Sequence, residues 1–294
     1  RGGRPMSRLR GFGPIAWREL STVVRTRGYL LLSAGLLAVF VGVLRSGGGI
    51  DGGYVPTAVD LLLPLELLVP IVAVALGYRA FSGDNDDRSV LRTYPVSDRS
   101  LAVGVFAGRF VGLAAIVGTP LVIVGLVISQ VGGPPSLVFA THQGVDSPVL
   151  FVRFIALTTG FGAAVLAMTM AASVLVRTSR AALAAALAVL VVVVAGGDLL
   201  TLTGLTAGVL EDDLLGTALG LSPNAAYRGL VLELVVGVAT DRSGAIDIPV
   251  AVAGLVGWTV VGLAITAGVG QRSFSLLRDR IKTRTDRLRA ALPR

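Results

Sequence analysis

The sequence predicts an all-α protein: a polytopic bundle of six membrane-crossing helices with both termini in the cytoplasm. Three observations carry this expectation. Of 294 residues, 53% are hydrophobic and only 15% are charged, whereas a soluble domain is nearer one-quarter charged. Apolar runs recur along the whole length, each long enough to cross a hydrocarbon core of about 30 Å. The basic residues gather in alternate connections.

The spans fall at about Gly28–Leu44, Val59–Gly77, Leu101–Val127, Phe151–Leu175, Ala181–Leu200 and Ile248–Gly268. The apolar/polar alternation of a transmembrane barrel strand is absent. The N-terminal segment does not read as a cleavable signal peptide, because its basic region is long and no small-residue cleavage site follows the first apolar run.

Orientation follows from the excess of Arg and Lys on the cytoplasmic side of membrane proteins. With both termini inside, 22 of the 26 basic residues face the cytoplasm and only Arg45, Arg153, Arg228 and Arg242 face out. The acids divide the other way, 7 inside and 11 outside. This organises the chain into a cytoplasmic N-terminal interfacial helix (1–28), a six-span domain (29–271) and a basic cytoplasmic tail (272–294). The domain includes a cytoplasmic loop, 79–100, and an external segment, 201–247. The expected location is the plasma membrane of a prokaryotic cell.

The segment 201–247 is apolar enough to suggest a seventh span, but Arg228 and Glu233 would sit within it. A charge at mid-bilayer costs about 2.5–3.5 kcal/mol on insertion scales. A seventh span would also place the basic tail outside. The expectation is therefore external amphipathic or re-entrant helices lying partly in the membrane.

The N-terminal stretch PIAWRELSTVVRTR reads as an interfacial helix. Trp17, Leu20 and Val24 share one face, with Arg18 and Arg25 on the other. Arg18-Glu19 forms a charged pair, and Arg25-Thr26-Arg27 lies just before the first span. In the tail, Phe274, Leu277, Ile281, Leu288 and Leu292 form a similar stripe among basic residues. Anchoring to anionic headgroups and a specific docking role both fit these segments.

Composition excludes several chemistries. There is no cysteine, so no disulfide and no thiolate nucleophile; the single histidine, His142, rules out an HExxH zinc site. The only lysine, Lys282, follows Ile281 in the tail, so no Gly-Lys-Ser/Thr phosphate loop exists. No catalytic, cofactor-binding or metal-binding residue is assigned, and no nucleic-acid partner is expected. One ionisable residue stands in mid-span: Glu66, in LLLPLELLVP between Pro64 and Pro70. Asp60 and Asp198 lie nearer span ends. An intramembrane acid is a functional candidate. Equally, two prolines suggest a distorted helix in which Glu66 reaches the interface or caps freed backbone donors. Gly104, Gly108 and Gly112 share one face of the third span, a spacing that permits close helix packing.

The loop 79–100, RAFSGDNDDRSVLRTYPVSDRS, is the most specific feature. Asp84–Asp87 suit a helix N-terminus. The helix would run about Asp86–Thr93, with Val90, Leu91 and Tyr94 forming an apolar patch. Pro95 ends it, and Ser97 caps the helix leading into the third span. A force on the short helix would thus be felt by a membrane-crossing rod.

This stretch resembles the cytoplasmic loop of type-2, exporter-class ABC transporter permeases. The match is Asp86, Asp87, Arg88, Ser89, Val90 and Leu91, then Pro95-Val96-Ser97 followed by Asp98-Arg99. The Arg18-Glu19 pair, six spans and a long external segment before the last also agree. LSPNAAYR at 221–228 resembles the corresponding segment in the membrane subunits of copper-processing transporters of nitrous oxide reductase maturation. The chain departs from the family pattern in having Asp where Glu is frequent at 84–87, and Ser89-Val90 where Gly-Thr is frequent.

The resemblance implies a permease that has no ATPase site of its own. A separate ABC ATPase subunit would bind ATP and take the 86–94 helix in its groove, and a second permease subunit, identical or different, would complete the transporter. Export is the implied direction. The rival expectations are a stand-alone secondary transporter that uses Glu66 and a membrane assembly factor that moves no solute. A Tyr94→Cys substitution tests the orientation in this cysteine-free chain. The thiol should be shielded from an impermeant maleimide on intact cells and labelled after permeabilisation.

Overall fold

The computed structural model describes residues 27–81, 98–131, 146–176, 178–209, 212–238 and 246–268. Regular structure among them is entirely helical. In chain order the helices are α1 (Arg27–Gly47), a single turn α2 (Gly49–Gly52), α3 (Tyr54–Gly77), α4 (Asp98–Val131) and α5 (Pro148–Leu175). Next comes α6 (Ser179–Thr206), which passes through a π-helical turn at Val192–Gly196. Then come α7 (Asp212–Leu221), α8 (Pro223–Val231) continuing into a π-helical run at Leu232–Gly237, and α9 (Ile248–Gly268). Six of these, α1, α3, α4, α5, α6 and α9, are long and apolar enough to cross a membrane. The six expected spans are all present.

Three of them exceed the hydropathy pattern by about five residues or more. α3 starts at Tyr54 rather than Val59, α4 reaches Val131, and α6 reaches Thr206. The early start of α3 has a local cause. Asp146, just before α5, accepts hydrogen bonds from the backbone N–H groups of Tyr54 (2.8 Å) and Val55 (2.9 Å). Two otherwise unpaired donors of the first turn are thereby satisfied. Gly53, at φ 101°, makes the left-handed turn that brings the chain there. The extra length of α6 is polar, but Thr201, Thr203 and Thr206 donate their hydroxyls to carbonyls four residues back. Their polarity is consumed within the helix.

α3 and α5 form the centre. Leu61, Leu65, Val69 and Val72 line the inner face of α3, and Phe154, Phe161, Val165 and Met170 that of α5; all are buried. α4 adds Leu113, Val117, Leu121 and Val124, and α1 adds Leu36, Phe40 and Leu44 at every fourth position. Gly104, Gly108 and Gly112 of α4 are all buried. α1 runs opposite to α3, and α4 opposite to α5, whereas α3 and α5 run in the same direction. The end of α1 meets Asp60 of α3, the end of α4 meets Phe151 of α5, and the end of α3 meets Thr169 of α5. Two ends of the bundle follow: one where α3 and α5 begin, called the Tyr54 end, and the opposite Gly77 end. At the Gly77 end an Arg109 side-chain N–H donates to the carbonyl of Leu76, a last-turn acceptor of α3.

Replacing Asp146 with Ala removes both acceptors at the start of α3. The expected loss is about 1 kcal/mol, read as a lower melting temperature of the detergent-purified chain.

Candidate functional site

α7 and α8 make a hairpin folded back into the bundle from its Tyr54 end. Its tip is Leu221–Asn224. Three contacts fix how deep the tip goes. The indole N–H of Trp258, ten residues into α9, donates to the carbonyl of Leu221 (2.8 Å). That carbonyl closes α7 and has no partner within the helix. Gly254 lies flat against Gly220, where a Cβ would overlap the Gly220 carbonyl oxygen. Ser222 sits against Gly197 of α6 in the same way, with its hydroxyl where a Cβ would stand.

From the tip, α8 climbs along α5. Pro223 occupies the first turn of α8, where its missing N–H costs nothing. Tyr227 is fully buried, its ring stacked on Phe161 at 4.8 Å and its hydroxyl 3.0 Å from that of Thr158. The Thr158 hydroxyl donates to the Phe154 carbonyl (2.8 Å), so its remaining role toward Tyr227 is acceptor. Higher up, the Arg153 guanidinium donates to the carbonyl of Leu234 in the π-helical run (2.6 Å).

At the centre is an ion pair. Arg228 grips Glu66 with two parallel bonds, Nε to Oε1 at 2.7 Å and Nη2 to Oε2 at 2.5 Å. Nη2 also stands 3.4 Å from a carboxylate oxygen of Asp198 on α6. The Asn224 amide nitrogen is 3.4 Å from Glu66 Oε2 and 3.5 Å from the carbonyl of Val194, inside the π turn of α6. The Glu66 side chain is only 6% exposed, whereas those of Arg228 and Asp198 are 37% and 40% exposed. The buried end of the network is therefore Glu66, and the open end is Asp198. A guanidinium is not deprotonated in proteins, so the charge of Arg228 is permanent.

Glu66 lies twelve residues after Tyr54, a rise of about 18 Å along the helix, close to the middle of α3. The charge expected there is present and is answered. It neither caps the backbone freed by Pro64 and Pro70 nor reaches an end of the bundle. A fork-shaped guanidinium matches a carboxylate in this geometry, and such paired bonds are the strong ones. In the sequence Arg228 reads as an obstacle to membrane insertion; in the structure it is the partner of Glu66. The signal was available. A lone acid in one apolar segment and a lone base in another each need a counter-charge.

The other expected site residues stand differently. Asp86, Asp87, Arg88, Val90, Leu91, Tyr94, Pro95 and Ser97 lie outside the described residues, as do Trp17, Arg18, Glu19, Arg25 and His142. Arg27 is the first residue of α1.

A bundle of six candidate spans, with a hairpin folded into it before the last, is the frame of a polytopic membrane protein. The family model described as "ABC-2 family transporter protein" matches residues 14–276. The chain belongs to that family and is a membrane permease of the ABC transporter kind. It is similar to the probable ABC transporter permease protein NosY of Stutzerimonas stutzeri, at 27% identity over 276 residues, covering 88% of this chain and 97% of the relative.

Breaking a buried pair from one side strands the other charge. Arg228→Leu should lower stability by about 3 kcal/mol. Glu66→Leu combined with Arg228→Leu should recover most of that loss. Thermal melting of the purified variants checks both.

Proposed function

We propose that this chain is the membrane-spanning subunit of an ATP-driven exporter whose ATP is bound and hydrolysed by a separate ATPase subunit. The observation that carries the reading is the family match across residues 14–276, the whole described bundle. The segment between α3 and α4 supports it. Its Asp86–Leu91 and Pro95-Val96-Ser97 pattern resembles the family's coupling loop, and it leads directly into α4 at Asp98. The ATPase would hold the 86–94 helix in a groove, and closure of two ATPase subunits would drive two permease subunits. In this reading both termini are cytoplasmic, the Tyr54 end faces outward, and the α7–α8 hairpin is re-entrant from outside. The basic segments at 1–27 and 272–294 rest on the inner leaflet.

The likeness to NosY supports placing the chain among permeases of that kind, in line with the copper-processing subclass suggested by residues 221–228. A stand-alone proton-coupled transporter gains no support from Glu66, whose carboxylate is engaged by Arg228 through both oxygens.

Leu91→Asp tests the coupling role, because a charge in the apolar patch would enter the ATPase groove unpaired. The variant should insert normally, lose co-purification of its ATPase partner, and lower the ATPase activity of the reconstituted complex by at least about tenfold. A complex that stays intact and fully active would refute the proposal.

A further inference from the structure

Packing the hairpin onto α3 requires Glu66 and Arg228 but not Asp198. Asp198 is on a different helix, and it sits on an unusual piece of that helix. The segment Gly197–Thr206 contains no buried residue. It is separated from the rest of α6 by the π-helical turn Val192–Gly196, and Gly196-Gly197 stand just before Asp198. A π turn loosens the backbone ladder, and sharp helix bends concentrate at such turns and at small residues.

Among the described residues, the polar contacts that hold this segment and its π turn to the hairpin are long, and the close approach of Ser222 to Gly197 adds packing but no polar bond. Asp198 is 3.4 Å from Arg228 Nη2, and Val194 O is 3.5 Å from the Asn224 amide. Ser222 meets Gly197 without a hydrogen bond from its buried hydroxyl among the described residues. The Glu66 side is tight by comparison, and α3 is locked in the core through Leu65 and Val69.

We propose that Arg228, anchored on Glu66, is the fixed half of a latch and Asp198 the movable half. Nη2 carries two N–H groups, so it can serve Glu66 and Asp198 together. A shift of about 0.6 Å would turn the 3.4 Å approach into a full charge-assisted bond near 2.8 Å. In the closed state Asp198 takes that bond and the Gly197–Thr206 segment lies on the hairpin. In the released state the segment pivots at the π turn and opens the bundle between α6 and the hairpin at the Tyr54 end. The use of this opening in transport rests on the permease reading above; the latch itself does not.

The test places two spin labels on the full-length chain in lipid vesicles, through Leu202→Cys on the moving segment and Val149→Cys on α5. Both positions are exposed, and the chain has no other cysteine. Two distance populations are expected. Asp198→Asn and Gly197→Ala should each shift their ratio toward the longer distance by about threefold. Asp198→Glu, which keeps the charge, should not. A single distance that neither variant moves, or equal shifts from Asn and Glu, would overturn the latch. No ATPase subunit is present in this measurement, so its result is independent of the co-purification experiment.

Discussion

An unpaired charge cannot rest in the middle of an apolar helix bundle. Arg228 carries a permanent charge, and the fold around it is arranged to answer that charge. Glu66 does so from the centre of α3, and meeting it requires the hairpin to reach deep between α5, α6 and α9. With the tip at that depth, the remaining polar groups of the hairpin fall beside fixed partners. Tyr227 reaches Thr158, and the carbonyls of Leu221 and Leu234 meet Trp258 and Arg153. The ion pair does not have to be a large source of stability to have this effect. A buried pair is weak evidence for stability, but the loss of one member is severe. Its function here is to leave the hairpin a single acceptable depth.

The same economy governs the backbone. Where water is scarce, every N–H and C=O needs a partner inside the protein. Asp146 answers the start of α3, and Arg109 answers its end through Leu76. The π-helical segments are the places where the regular ladder is altered, and side chains from elsewhere arrive at both: Asn224 at Val194, Arg153 at Leu234. Polar side chains in this chain are few, and many of those described serve helix ends and turns.

The six long helices were legible in the sequence because hydropathy over about twenty residues is a strong signal. Their ends were less so. Hydropathy does not register that Asp146 caps a helix ninety residues earlier, or that threonine hydroxyls fold back onto their own helix. A re-entrant path was one of two expectations for 201–247, and neither specified the depth that the hairpin at 212–238 reaches. That depth depends on a pairing across 162 residues of chain, which no local pattern encodes. Glu66 was recognisable as an intramembrane acid from its apolar surroundings. Its partner was hidden because a positive charge next to Leu and Val reads as a reason to leave the membrane, until an acid at the same depth is considered.

Trp258 and Gly254 join the hairpin to α9 by contact with its backbone rather than its side chains. Side chains can change rotamer and let neighbours slide, but main chain pressed against main chain leaves no such slack. The final helix and the hairpin tip therefore form one mechanical unit. A displacement of α9 at Gly254 or Trp258 cannot leave Gly220 and Leu221 where they are.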